Sequence, residues 1–332
     1  MKRSKWEPSI NRITANILLS MSTLVIRGGA IGDFVLTLPA IRLLRVAFPE
    51  AAVDILGCYP AVQLAERRYY ARATRNLNSA LWASLFTPQA QLNKELYGYF
   101  SGFQRVINYI HGPWFSRNLL RIGVQCLIQG SSKINDETHA AYQLARPFKK
   151  LSLFLEDPAA QIFLSDQDQQ NALHALKNAG CKAPFFAMHP GSGGIHKNWP
   201  LVRWKKLFLW VLQKFPDYNL VCVGGEADEL ALKYFSRQIC SPRLRFFDSL
   251  PLPILAGLLS QARVFVGQDS GVSHIAAATG IHCILLYGPT NPRVWAPANV
   301  LVSVVSCTTP SMADLHFEVV QHAFQSLIHR IE

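Results

Sequence analysis

The sequence predicts an α/β protein built from two doubly wound halves that face a cleft, and three observations lead to this expectation. The chain has 332 residues, which exceeds the usual size of a single core and favours two domains of roughly 150 residues each. Short β-branched or apolar runs alternate with amphipathic segments along both halves, as in parallel sheets wound by helices. Glycine-rich or polar loops follow several predicted strands, where such sheets carry their ligand sites.

Composition indicates a packed globular protein with a basic surface. Half of the residues are hydrophobic and only 16% are charged, which excludes an intrinsically disordered chain. The excess of 33 Lys and Arg over 21 Asp and Glu gives a formal charge of +12 and favours anionic partners such as phosphates or an acidic membrane surface. No RNA-binding signature or zinc-finger spacing accompanies the basic residues, so no nucleic-acid partner is predicted.

The cysteines and the N-terminal segment indicate in which cellular compartment the protein resides. Seven cysteines are scattered singly without a CxxC motif, which is typical of a reduced, cytoplasmic protein without disulfides or structural zinc. Residues 1–22 precede the first predicted strand, and Pro8 and Asn11 interrupt any apolar core of a signal peptide. We expect this segment to be a loosely ordered extension. No stretch approaches the 18 or so apolar residues of a membrane span.

The first half, residues 23–160, contains the clearest strand, loop and helix sequence at its start. A strand at 23–26 leads through a glycine loop into a helix at 34–48. Further strands are predicted at 53–57, 106–109 and 124–128, and a helix at 61–72. Residues 74–104 have too little periodicity for an assignment.

The second half, residues 161–312, repeats the scheme with a more regular alternation. Helices are predicted at 166–179, 201–215, 227–239, 253–260 and 272–278, and strands at 185–189, 220–223, 244–247, 264–267 and 283–287. The boundary is placed near 155–165, where the pattern breaks. The last segment, 313–332, is amphipathic and is predicted to be a helix that packs across the domain boundary.

The loop at residues 28–33, Gly-Gly-Ala-Ile-Gly-Asp, is the first candidate site. Its glycines allow a tight bend and a close approach to a ligand, while Asp33 stands where helix-capping carboxylates are common. Capping alone would be the usual explanation of Asp33. The position of the loop favours a function, because the first loop of a doubly wound half faces the cleft.

Two loops of the second half are suited to binding phosphate. Residues 189–200 combine small residues, including Ser192, with Lys197 between a strand and a helix, and such free amides plus one ammonium form an anion nest. The loop lacks GK[ST], so an ATPase is weakly supported. In residues 267–274, Ser270 and Gly271 begin a helix whose amides favour an anion, with Asp269 and His274 beside them.

Glu226 follows the glycines at the end of a predicted strand. A carboxylate at such a place commonly accepts the two hydroxyls of a ribose, although Glu226 is equally suited to cap the next helix.

Other classes of protein are less well supported. The Asp166-Gln167-Asp168 tripeptide resembles a metal-binding DxD motif but opens a polar helix, where acidic caps are ordinary. A serine hydrolase at Ser270 is disfavoured because GxSxG is absent and no distinct base is indicated. A nicotinamide dehydrogenase is disfavoured because neither half contains GxGxxG. A catalytically silent nucleotide-sugar-binding protein, with Asp33 as a cap only, stays open.

Four segments together resemble glycosyltransferase family 9, the ADP-heptose:lipopolysaccharide heptosyltransferases. They are residues 27–40, 191–200 with Lys-Asn-Trp-Pro, 269–274 with Asp-Ser-Gly-Val-Ser-His, and 287–290 with Tyr-Gly-Pro-Thr. Their order and spacing cover about 270 residues, and the second half carries the stronger resemblance.

The resemblance implies an inverting enzyme of the GT-B fold, with two Rossmann-like domains, no cofactor and no metal. It implies that Asp33 is the general base, that Lys197 and Ser192 contact the diphosphate, and that Glu226 holds the ribose hydroxyls. The Leu250 backbone would lie near the base, and the remaining residues implied to line the diphosphate and sugar are Asp269, Ser270, Gly271 and His274. The implied donor is ADP-heptose and the acceptor a lipid-linked saccharide, reached by a cytoplasmic enzyme that docks on the inner membrane.

Overall fold

The structure, a computed structural model, describes residues 21–89, 91–307 and 309–332. The extension expected at 1–22 therefore lies outside the described residues, apart from its last two. Among the residues that are described, no helix combines the length and the apolar character that a membrane crossing requires.

The first half contains a parallel sheet of five strands in the order β3-β2-β1-β4-β5. The chain adds strands to one side of β1 and then returns to add β4 and β5 on the other side, so the direction of winding reverses between β1 and β4. Loops at the carboxyl end of such a switch point diverge and leave a crevice. The strands are β1 Thr23–Arg27, β2 Val53–Gly57, β3 Ala73–Asn76, β4 Arg105–Asn108 and β5 Cys126–Gln129.

The second half contains a parallel sheet of six strands in the order β11-β10-β9-β6-β7-β8. Here the winding reverses between β6 and β9, which pair directly. The loops after these two strands are therefore neighbours, although about 80 residues separate them in the sequence. The strands are β6 Phe185–Met188, β7 Asn219–Gly224, β8 Leu244–Asp248, β9 Val264–Gln268, β10 His282–Tyr287 and β11 Val302–Ser306.

Helices cover both sheets, and most of those predicted from periodicity lie within one to three residues of their expected bounds. In chain order they are α1 Ile31–Ala47, α2 Lys94–Phe100, α3 Pro113–Ile122, α4 Ala140–Ala145, α5 Asp166–Asn178, α6 Leu201–Lys214, α7 Glu229–Gln238, α8 Leu252–Leu259, α9 Gly271–Ala278, α10 Pro292–Trp295 and α11 Phe317–Ile331.

The helix predicted at 61–72 is wrong. Only a 3₁₀ turn, Ala61–Leu64, forms there. Arg67 then adopts a left-handed conformation with φ 51°, which interrupts any helix, and Ala71 forms a bridge with Glu66. The chain continues into β3, a short edge strand that hydrophobic alternation did not reveal because its buried and exposed positions carry few apolar side chains.

Helix α11 packs on the second half and not across the domain boundary as predicted. The aromatic ring of Phe324 lies 5.1 Å from that of Phe186 on β6 and 5.7 Å from that of Trp210 on α6. The buried residues of α11 belong to one cluster with these side chains. The amphipathic pattern predicted the helix correctly, but it does not specify which surface its apolar face covers.

Side-chain contacts join the two halves beside the cleft. Arg68 forms a two-pronged ion pair with Asp168, with nitrogen–oxygen distances of 2.5 and 2.8 Å. Asp168 also accepts a hydrogen bond from the Ser165 amide at the start of α5. The Asp166-Gln167-Asp168 segment is thus a helix start that also anchors the first half to the second.

The N-termini of α1 and α9 meet where the two halves come closest. A Cβ atom added to Gly271 would lie 2.7 Å from the Cβ of Ile31, and one added to Gly32 would lie 3.2 Å from the His274 ring. Glycine at 271 is therefore required for this approach. The contact brings the first loop of the first half against the β9 loop of the second.

Candidate active site

A cavity of about 380 Å³ lies between the halves at the carboxyl ends of the strands. The first half contributes segments 29–32 and 58–61, which follow β1 and β2. The second half contributes loops after β6, β7, β8 and β9, at His189, 192–193, 223–228, 249–250 and 270–272. The cavity therefore lies at the winding reversal of the second half, where parallel sheets bind ligands, and against the loops after β1 and β2 of the first half.

Of the residues singled out from the sequence, five line this cavity and four border it. The lining residues are Ser192, Glu226, Leu250, Ser270 and Gly271. Asp33 and Asp269 each adjoin a lining residue in the chain, Lys197 is bonded to Asp269, and His274 lies against Gly32. The structure thus brings all nine predicted residues to one region.

Asp33 is held in a fixed orientation at the start of α1. Its Oδ1 accepts a hydrogen bond from the Arg27 guanidinium at 3.2 Å, and its Oδ2 accepts one from the Ala30 amide at 2.9 Å. Arg27 is buried and also donates to Thr37 Oγ1 at 3.0 Å. Because each carboxylate oxygen can accept two hydrogen bonds, Asp33, whose side chain is 32% exposed, keeps acceptor capacity for a further proton.

The loop after β6 is preorganised by side chains of its own and of β9. Ser192 Oγ lies 2.8 Å from the Gly194 carbonyl oxygen and 2.7 Å from Asn198 Oδ1. Gln268 at the end of β9 donates to Asn198 Oδ1 at 2.6 Å and accepts from the Trp199 amide at 2.9 Å. The loop therefore needs little reordering to receive a ligand.

Lys197 is paired with Asp269. The Lys197 ammonium donates to Asp269 Oδ2 at 2.7 Å, with 30% and 11% of the two side chains exposed. Through this contact Asp269 holds the ammonium beside the start of α9. The pair is only partly shielded from solvent, so the ammonium can still reach a ligand.

The N-terminus of α9 lies at the cavity. Ser270 caps the helix, and its Oγ accepts a hydrogen bond from the Ser273 amide at 3.3 Å. The amides of Gly271 and Val272, the first two residues of α9, have no carbonyl acceptor within the helix. Both residues line the cavity, where these donors and the helix dipole favour an anion.

His274 is buried on α9, near charged groups of both halves. Burial lowers the pKa of His274 to about 4, against the opposing effect of Asp269, while His139 lowers it further and Asp33 and Lys197 act with smaller, opposite effects. The imidazole is therefore neutral at neutral pH. The ring lies against Gly32, the neighbour of Asp33, on the helix that begins two residues after Asp269, the partner of Lys197. The carboxylate of the first half and the ammonium of the second therefore lie in the same region.

Glu226 and Leu250 lie at the other end of the cavity. Glu226 is exposed at the start of a 3₁₀ turn, Glu226–Asp228, and its carboxylate is available to a ligand. Apolar side chains of Val223, Leu252 and Leu255 line the same end beside Leu250. The cavity lining thus combines loop and helix-start residues with apolar side chains and the carboxylates of Glu226 and Asp228.

Two buried residues, His189 and Asp228, were not predicted as site residues. His189 Nε2 lies 3.0 Å from Asp228 Oδ2, and its Nδ1 lies 3.1 Å from Ser270 Oγ. The sequence indicated no base for Ser270, whereas the structure places the His189 imidazole within hydrogen-bond distance of its hydroxyl. The Ser270 oxygen already accepts the Ser273 amide as a helix cap, which is not the role of a free nucleophile.

Comparisons with known proteins agree with this arrangement. Lipopolysaccharide heptosyltransferase 1 of Pseudomonas aeruginosa is 23% identical over 296 residues, which cover 82% of this chain and 80% of that protein. The glycosyl transferase family 9 structure from Veillonella parvula has a TM-score of 0.77 at 17% identity and covers 94% of this chain and 98% of its own. E. coli heptosyltransferase WaaC with ADP has a TM-score of 0.68 at 17% identity, with 92% and 100% covered.

The chain is a glycosyltransferase of the GT-B fold, with two Rossmann-like doubly wound halves facing a cleft. Within that class it belongs to glycosyltransferase family 9 (heptosyltransferase), whose sequence model matches residues 127–323. The resemblance stated from four sequence segments is therefore confirmed.

Proposed function

We propose that this protein is an inverting glycosyltransferase that moves heptose from ADP-heptose onto a hydroxyl of a lipopolysaccharide core or a related glycolipid. One observation carries the proposal: the N-termini of α1 and α9 meet across the cleft, so that Asp33 of the first half and the Lys197–Asp269 pair of the second half border the same cavity. A reaction with a proton acceptor on one side and an anionic leaving group on the other needs this arrangement. The similarity to a heptosyltransferase solved with ADP supports the choice of donor.

In the proposed reaction Asp33 is the general base. It accepts the proton of an acceptor hydroxyl as that oxygen attacks the anomeric carbon, and the diphosphate leaves from the opposite face, which inverts the configuration. Arg27 and the Ala30 amide fix the carboxylate while leaving it room for the proton. A single displacement requires only one base.

The leaving diphosphate is stabilised by fixed donors of the second half. Lys197, Ser192 and the amides of Gly271 and Val272 would carry the charge that develops as the bond to the sugar breaks. In this scheme Glu226 holds the ribose hydroxyls, and the apolar end near Leu250 receives the base. The proposal assigns the charge stabilisation to these groups and not to a divalent cation.

The two halves divide the substrates in this proposal. Residues 23–160 bind the acceptor and residues 161–312 bind the donor, so the acceptor hydroxyl reaches Asp33 from the first half. The alternative is a catalytically silent nucleotide-sugar-binding protein, favoured by the fact that Asp33 Oδ2 also caps α1 at the Ala30 amide. Sugar transfer or donor hydrolysis by the wild-type protein separates the two.

A thermal-shift panel of nucleoside diphosphates tests the donor site. ADP is expected to raise the melting temperature more than UDP, GDP or CDP, because ADP is the nucleotide of the proposed donor and, at equal concentration, the ligand with the lowest Kd stabilises the native state most. A ligand present at 100 times its Kd contributes about 2.7 kcal/mol. ADP-heptose is expected to match or exceed ADP. If no diphosphate shifts the transition, the cavity is not a nucleotide-sugar site.

We also propose a cytoplasmic enzyme that associates peripherally with anionic membrane, where a lipid-linked acceptor resides. The formal charge of +12 supports this, since a basic side chain near an anionic surface contributes about 1 kcal/mol. In flotation with liposomes containing anionic lipid, the protein is expected to bind at low salt and to dissociate as salt is raised. Equal recovery with neutral and anionic liposomes would contradict the association.

A further inference from the structure

His189, Asp228 and Ser270 form a buried chain of side-chain hydrogen bonds beneath the cavity. They are 2%, 8% and 8% exposed. The distances are 3.0 Å from Asp228 Oδ2 to His189 Nε2 and 3.1 Å from His189 Nδ1 to Ser270 Oγ. Each residue follows a different strand, β6, β7 or β9, and these three strands are adjacent in the sheet. This series of hydrogen bonds therefore links three loops that border the cavity.

The hydrogens in this chain can be assigned from its chemistry. Burial alone would raise the pKa of Asp228, but hydrogen bonds from His189 and the Gly225 amide lower it below its usual range. The ionised carboxylate accepts hydrogen bonds, so Nε2 of His189 carries the hydrogen that faces it. Nδ1 then accepts the Ser270 hydroxyl hydrogen, and the Ser270 oxygen keeps a lone pair for the Ser273 amide.

The loop after β6 has a glycine, Gly191, where the Asp228 carboxylate packs against it. A Cβ atom added to Gly191 would lie 1.5 Å from Asp228 Oδ1, so the carboxylate occupies the space of a side chain at 191. Gly191 has no left-handed backbone angle that would otherwise call for glycine. The close approach of Asp228 is therefore the steric reason for glycine at this position, and it keeps the loop against the carboxylate.

We propose that His189 is a positioning residue for the donor diphosphate. By holding the Ser270 hydroxyl it fixes the cap of α9, and it thereby aims the amides of Gly271 and Val272 into the cavity; Asp228 orients its imidazole. This inference rests on the proposed function of the cavity as a nucleotide-sugar site. It assigns a role to two residues that touch no reacting atom.

Two substitutions at 189 separate the contact of His189 with Ser270 from its contact with Asp228. The amide of Asn ends near the position of Nδ1 and can bond Ser270, whereas the amide of Gln reaches the position of Nε2 and can bond Asp228. We expect His189→Gln to weaken ADP binding about tenfold, which corresponds to the loss of one net hydrogen bond. His189→Asn keeps the bond to Ser270 and is expected to weaken ADP binding less than about threefold. Titration calorimetry with ADP measures both.

Coupling to Ser270 gives the second readout. If His189 acts through Ser270, His189→Gln should have little additional effect in a Ser270→Ala background, because coupled neighbours are not additive. Thr279→Val, which removes a hydroxyl at the opposite end of α9, is the matched control and should bind ADP normally. Should His189→Gln fail to fold, Ser270→Ala still tests the proposal, because ADP affinity unchanged by loss of this hydroxyl would overturn it.

The outcomes separate this inference from the function on which it rests. A wild-type protein that binds no nucleoside diphosphate defeats the proposed function itself. A wild-type protein that binds ADP, with His189→Asn as weak as or weaker than His189→Gln, or with full additivity to Ser270→Ala, overturns the positioning role alone.

Discussion

Asp33→Asn is expected to reduce sugar transfer by about 100- to 10,000-fold, the usual contribution of a general base. The amide cannot take the proton of the acceptor hydroxyl, while its oxygen can still accept the Ala30 amide and keep the start of α1 intact. The Kd for ADP should change little, because the donor groups lie in the second half. Transfer from ADP-heptose to a lipid-linked saccharide, and ADP titration, are the two measurements.

Asp157→Asn is the matched control for this experiment. Asp157 is an exposed carboxylate that also pairs with an arginine, Arg42, at 2.7 Å, but it lies outside the cavity lining. The control should retain full transfer activity. Turnover of Asp33→Asn close to that of the wild type would remove Asp33 as the base and favour its role as a helix cap alone.

Lys197→Met is expected to weaken ADP binding by about 10- to 100-fold, in the range for a hydrogen bond to a charged group. The substitution removes the ammonium and also leaves the Asp269 carboxylate unpaired, so that it repels the diphosphate. Asp269→Asn alone should cost less, because it keeps the ammonium. The double substitution should recover part of the affinity lost in Lys197→Met, and calorimetry measures all three.

Lys206→Met is the matched control for the loss of one positive charge from the second half. Lys206 forms an exposed ion pair with Glu318 at 2.9 Å on the outer face of the second half. Exposed pairs contribute little, and this change should leave ADP affinity as it is. Equal Kd values for Lys197→Met and Lys206→Met would show that the Lys197 side chain does not meet the nucleotide.

Much of this architecture could be predicted because parallel sheets obey simple rules. Loops after strands lie at one edge of a sheet, so the segments containing Lys197, Glu226 and Ser270 could be expected near each other once the strands were assigned. The place of Asp33 beside them depends in addition on how the two halves meet. The second half was predicted more completely, since its strands are continuous apolar runs. Short edge strands such as β3 carry no comparable pattern and depend on their neighbour for their conformation.

The side-chain network of the site could not be obtained in the same way. His189 stands in a loop that was singled out, but its partner Asp228 lies 39 residues away and Ser270 81 residues away. Their contact depends on β7 and β9 flanking β6, which periodicity does not specify. The ion pair of Arg68 with Asp168, 100 residues apart, likewise depends on how the halves meet.

The glycine at 271 sets the spacing between the two halves. Because a Cβ at 271 would lie 2.7 Å from the Cβ of Ile31, α1 and α9 can come this close only with glycine at this position. A methyl group at 271 would push the two helices apart and so separate the Asp33 carboxylate from the Lys197 ammonium. Gly271 thus determines the distance between the sides of the cleft that carry Asp33 and Lys197. It does so without forming or breaking a bond itself.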